Sequence, residues 1–211
     1  MLLGDPYRSI VNDGLRELRV PDLELERRAA ATTFFKDVHV DGRIQRICRV
    51  NYLALLNLHI KPEEAIQQVR DVLSNESETI IEKDTEILLQ ARNWRGHLIA
   101  CAVILCGTRS PRLLDAVWMR LRDGSWISPQ IAATAYLLDM NFLDRARALM
   151  SDSGLSDKAR IALFDLLIEG SQAILPADLV NRAAVAKAKD LDASGTIALR
   201  WANKSRSLFT I

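Results

Sequence analysis

Apolar residues recur along this chain at intervals of three and four, the spacing of one face of a helix. Tyr7, Ile10, Val11, Leu15 and Leu18 set the pattern over residues 6–19, and Pro21 stops it. A second helix is predicted over 23–36, ending in Phe34-Phe35. The segment VHVDG then reads as a link, with Asp41 as the cap of a helix over about 42–58 that gathers Ile44, Ile47, Cys48, Leu55 and Leu58. Lys61-Pro62-Glu63-Glu64 opens the next helix, with proline in the first turn and carboxylates near the positive end of the dipole. Its inward face is Ala65, Ile66, Val69 and Leu73. Residues 74–86, SNESETIIEKDTE, hold five carboxylates and one lysine. The acidic side is either a solvated face or a patch for a basic partner, and Ile80, Ile81, Ile87 and Leu88 are the expected buried side.

From Asn93 to Gly154 the pattern becomes two consecutive helix–turn–helix units. Each opens with a polar residue and a tryptophan, Asn93-Trp94 and Ser125-Trp126, and each closes with a glycine, Gly124 and Gly154. The helix over 94–106 is apolar nearly all round, which demands neighbours on several sides. Ser110-Pro111 and Ser128-Pro129 are start signals for further helices. Leu113, Leu114, Val117 and Leu121 face inward on the first of these, and Ile131, Ala132, Ala135 and Leu138 on the second. Phe142, Ala146 and Leu149 carry the partner helix. A third unit begins at Ser156-Asp157, Pro176 starts an alanine-rich helix, and Ile197, Ala198, Trp201 and Phe209 mark a last one. No strand-type alternation or hairpin turn pair is read anywhere, so the expected fold is all-α. One domain is expected over residues 1–211: irregular helices over 1–92, clear repeats over 93–170 and capping helices over 171–211.

Composition narrows the function classes. The chain carries 28 basic and 27 acidic residues, a balance unlike the basic excess that replaces counterions on nucleic acid. The three cysteines, Cys48, Cys101 and Cys106, have no framework spacing. The longest apolar run, Leu98 to Cys106, is too short to span a bilayer, and the N-terminus lacks a basic region followed by an apolar core. A cytoplasmic protein with no membrane association is expected.

Trp94 and Trp126 lie 32 residues apart, and the third unit opens about 30 residues later, a period that marks stacked helix pairs. In this stretch the chain resembles the short HEAT-like repeats also seen in bilin-lyase-related proteins. The resemblance rests on Trp94-Arg95, Ala100, Ala102, Leu105, Gly107, Leu113, Leu114, Leu121 and Asp123 in the first unit. Trp126, Ala132, Ala133, Leu137, Leu138, Phe142, Ala146 and Asp152 carry it in the second, and Ala159-Arg160, Ala162 and Leu166 in the third. Gln130 stands where the middle unit would carry the arginine seen as Arg95 and Arg160. The resemblance implies an α-solenoid that offers a surface to a macromolecule, and no particular reaction.

The search for chemistry gives little. His39, His59 and His97 are scattered, and neither CxxC nor HExxH spacing occurs. His97 and Cys101, four apart on one helix, could hold a metal only with two distant ligands. No glycine-rich phosphate loop and no GxSxG elbow exist. No cofactor, no metal and no catalytic residue is therefore expected. Trp94 and Trp126 are read as wedges between successive repeats. On the helix 111–122, Asp115, Met119 and Arg122 point away from the buried face and Trp118 lies on its border. Those four, with Asp144 and Arg147 (and then Ser151) on the equivalent helix of the next unit, are the candidate partner-binding residues. The expectation is a non-enzymatic scaffold or adaptor of bacterial type, or a toxin-neutralising immunity protein, whose second-helix surfaces bind another protein. The alternative is a nucleic-acid enzyme resembling HEAT-like DNA glycosylases, which use an aspartate beside tryptophans; Asp115 and Trp118 are the residues that suggest it.

Overall fold

The computed structural model describes residues 20–170 and 175–209. The helix expected over 6–19 lies outside them. Among the described residues the chain is mostly helical, with eleven helices and one two-stranded hairpin. In order these are α1 (Val20–Ala30), β1 (Phe35–Val40), β2 (Arg43–Cys48), α2 (Tyr52–Asn57), α3 (Pro62–Ser74), α4 (Glu78–Gln90) and α5 (Trp94–Leu105). Then follow α6 (Pro111–Asp123), α7 (Ser128–Leu138), α8 (Phe142–Met150), α9 (Asp157–Gly170), α10 (Ala177–Lys187) and α11 (Ser194–Leu208). No helix among the described residues is long and apolar enough to cross a membrane.

The hairpin corrects the reading of residues 42–58 as a helix. Asp41 and Gly42 have φ of 50° and 73°, so Asp41 is the first residue of a two-residue turn with both centres left-handed and not a helix cap. That turn is the one whose twist matches flanking strands, and Asp-Gly is a favoured pair for it. β1 and β2 pair antiparallel from Phe35↔Cys48 to Val40↔Arg43. The alternation in Val38-His39-Val40 was the signal passed over. The helix expected over 23–36 also stops earlier, at Ala30, and Phe34 is fully buried below the hairpin.

The helices sort by how their apolar residues are distributed. α5, α7 and α9 bury most of their residues and pack in series, α5 on α7 and α7 on α9. Every residue of α5 from Gly96 to Leu105 is buried, because α4 covers it from one direction and α2 and α3 from others. α4, α6, α8 and α10 are one-sided; α4 packs on α5 and α6, α6 on α7, and α8 and α10 on α9. On α4, Ile81, Ile87 and Leu88 are buried as expected, but Ile80 is 43% exposed. It lies only about 20° from Ile87 around the axis, so its exposure belongs to its place in the first turn and not to its face.

The last helix, α11, packs along both α7 and α9. It is fastened to α2 by side chains that answer the unpaired carbonyls any helix end presents. Trp201 Nε1 donates to the Leu55 carbonyl (3.0 Å), and Lys204 Nζ to those of Asn57 (3.1 Å) and Leu58 (3.0 Å). Gln130 of α7 donates to the remaining one, Leu56 (3.1 Å), which gives the departure at this position a structural use. Arg160 does comparable work elsewhere, donating from a buried position to the carbonyl of Met150 at the end of α8 and to those of Asp152 and Leu155 in the loop that follows.

Trp94, Trp126 and Lys158, at the starts of α5, α7 and α9 and 32 residues apart each, touch in sequence. The two indoles lie 4.8 Å apart between centroids, and Lys158 Nζ sits 5.6 Å from the Trp126 ring. Arg95 lies over both Trp94 and Tyr52. The tryptophans are therefore a contact between successive units, although Trp126 keeps more than half of its surface exposed.

Candidate functional site

α6 starts where Ser110 Oγ accepts from Leu113 N and donates to Glu82 of α4. Pro111 occupies its first turn, and Gly124 ends it with φ of 83°. Leu113, Val117 and Leu121 are fully buried, so the helix presents Asp115, Met119 and Arg122 outward, as its spacing requires. Met119 is 61% exposed.

A groove flanks α6 on each side. The larger, about 400 Å³, runs between α4 and α6 and has Leu89, Ala116 and Met119 among its walls, with charges from Glu86, Asp115 and Arg120. The smaller, about 240 Å³, lies between α6 and α8 and is lined by Trp118, Arg122, Arg145, Ala148, Leu149 and Asp152. Ion pairs bridge both: Arg112 to Glu86 at 2.5 Å, and Arg145 to Asp115 at 2.8 Å. Arg122 forms no ion pair among the described residues.

Trp118 belongs inside and not on the border of the buried face. It is 6% exposed, donates from Nε1 to Asp139 Oδ2 at 2.7 Å and packs on Phe142 at 5.7 Å. Arg145 covers its ring at 5.1 Å while reaching Asp139 at 3.3 Å and Asp115 at 2.8 Å. Asp115 and Trp118 therefore do not form an aspartate–tryptophan pair on a shared surface. Asp115 faces an arginine, and Trp118 serves a buried carboxylate.

Of the residues expected on α8, Asp144 is exposed and Arg147 half-buried, with Arg147 Nε buried and unpaired. Neither lines a groove beside α6. Arg145, two residues before Arg147, is the side chain that joins α8 to α6, and reasoning from helix faces missed it. It lies about 100° from the buried Ala146, on the flank of the helix rather than its crest. Only the packing of α8 beside α6 gives a flank its importance.

Behind the grooves, a buried polar chain ties four elements together. Arg120 donates to the Ala91 carbonyl (3.0 Å) just past α4 and pairs with Asp123 (3.4 Å). Burial lowers its pKa, with Asp123 opposing that shift. The same Ala91 carbonyl accepts from His97 Nε2 (2.7 Å), and because a carbonyl only accepts, Nε2 carries the proton. His97 Nδ1 then accepts from Ser125 Oγ (2.8 Å), which itself accepts from Ile127 N at the start of α7 (3.3 Å). Burial, with a smaller push from Arg120, lowers the His97 pKa to about 4. Both ring nitrogens of His97 are thus taken by protein groups. Cys101, four residues on, is fully buried, and burial pushes its thiol up to about 12.

Asp115 lines the larger groove and Arg122 and Arg145 the smaller, so the two grooves share one charged surface across α6. No base poised beside a nucleophile appears in it. Compared with family models, curated proteins and solved structures, the chain matches none.

Proposed function

We propose that this chain is an α-solenoid of HEAT-like helix pairs that binds another protein across its second-helix surface, centred on α6. The observation that carries this reading is the placement of α11. It lies along α7 and α9, occupying a face of the first-helix series that a curved array would otherwise offer to a ligand. The surface left open is that of α4, α6 and α8, where Met119 stands between two grooves. An exposed flexible apolar side chain on the rim of a groove walled by Leu89 and Ala116, with Arg122 one turn further on, is the composition of an interface centre. An adaptor or an inhibitory immunity-type protein would use such a surface, and neither role asks it for chemistry.

Site-specific photo-cross-linking in the native cell tests this. A photoreactive residue in place of Met119 or Arg122 should yield one discrete protein adduct. The same residue at Met140, fully exposed but outside both grooves, should not. Equal yields from positions 119 and 140, or adducts from neither 119 nor 122, would remove α6 from the reading.

A further inference from the structure

We propose that the β1–β2 ribbon is a second docking element, which takes an extended, acidic segment of a partner protein as a third strand. The ribbon is a six-pair antiparallel ladder that touches the helices on one face, where Arg46 donates to the Ala30 carbonyl at the end of α1 (2.8 Å). Of its apolar residues, only Phe35 and Cys48 at its base pack against the core among the described residues. Val40, Ile44 and Ile47 are 39%, 67% and 37% exposed. Among the described residues neither outer edge is paired with a further strand. An isolated two-stranded hairpin is marginal in water, three strands or a packed face being needed for stability. An open edge is also a template for an added strand.

The charge pattern states which strand fits. Residues directly opposite one another share a face. One face carries Asp37 opposite Arg46, ion-paired at 3.1 Å, and is locally balanced. The other carries Lys36, Val38 and Val40 opposite Ile47, Gln45 and Arg43. It contains no acidic residue, and neither Lys36 nor Arg43 has an ion pair among the described residues. A strand added at the β1 edge would run beside Lys36, Val38 and Val40, with Arg43 one strand further across the same face at the other end, so it suits a segment whose side chains on that face are carboxylates flanking apolar residues. Backbone hydrogen bonds along the edge would hold the strand, and the cations would select it.

The test uses the full chain and three labelled octapeptides read by fluorescence anisotropy. In the first, glutamate and valine supply one face and threonine the other; the second replaces glutamate by lysine; the third is the first with alternate amides N-methylated. The acidic peptide should bind at least tenfold more tightly than the lysine peptide, and N-methylation should abolish binding. A Lys36→Glu, Arg43→Glu double variant, whose exposed positions leave folding undisturbed, should reverse the preference. Equal binding of the N-methylated peptide, or no binding of any peptide, would overturn the proposal. So would a dimer, or retention of a DNA duplex, that is lost in the double variant, since either would give the ribbon a different occupant.

Discussion

Between Gly96 and Leu105 every residue of α5 is buried, whereas in the ribbon three aliphatic residues of twelve keep more than a third of their surface in water. Both stretches hold β-branched residues in quantity, so composition alone does not separate them. What separates them is how many neighbours each can recruit. α5 has α4, α7, α2 and α3 around it, and its small residues Gly96, Ala100 and Ala102 let them approach. A Cβ at Gly96 would stand 3.3 Å from Leu88 Cδ2, which shows how closely α4 lies. The ribbon is fixed by its own turn, by its base and by Arg46 on one face, and its other face recruits no helix among the described residues. Apolar side chains in the first place build the fold; in the second they remain available to something else.

The comparison is broken most forcefully in α5. Ile99 is fully buried, so Ile99→Ala should leave a cavity and cost about 2–5 kcal/mol in urea unfolding. A cost below about 1 kcal/mol would mean that the central series packs loosely.

The polar chain beside α5 should make stability depend on pH. The native pKa of His97, about 4, lies below the ordinary value of 6.5. Between these values the unfolded chain binds a proton that the folded chain refuses. The stabilisation is fully present above pH 6.5 and is lost as pH falls toward 4, by about 3 kcal/mol. Unfolding free energies measured across that window should show this slope, and a His97→Gln variant should lack it. An unchanged slope in the variant would assign the effect to other groups.

Trp118→Phe separates packing from hydrogen bonding at the edge of the buried region. The ring contact with Phe142 survives, while Asp139 loses its 2.7 Å donor and keeps Arg145. The expected loss is about 1–3 kcal/mol by denaturant titration. A neutral result would show that Arg145 and the Asn141 N–H satisfy Asp139 without the indole.

The smallest effect belongs to the ribbon. Ile44→Thr replaces an exposed aliphatic with a β-branched polar residue and should change stability by only about 0.5 kcal/mol. A loss as large as that of Ile99→Ala would mean that the ribbon is packed in solution after all.

The sequence by itself determined most of the helices. Proline at first-turn positions, serine caps and threefold–fourfold apolar spacing are local effects, and α3, α6 and α9 begin where those signals place them. It also determined which residues of α6 face outward, because rotation about a helix axis follows from position alone. The hairpin was legible too, in Asp41-Gly42 and the alternation before it, but its short apolar run also matches a helix face. Tertiary structure alone decided the rest. Trp118 turned inward because Asp139 and Phe142, some 20 residues on, form a place for it. Arg145 became the bridge between α6 and α8 through the register of two packed helices, which no spacing within either one encodes. The choice of which long surface stays open was made by α11, fastened nearly 150 residues away to carbonyls of α2. Contacts of that range depend on where the whole chain brings its ends, and local pattern carries no record of them.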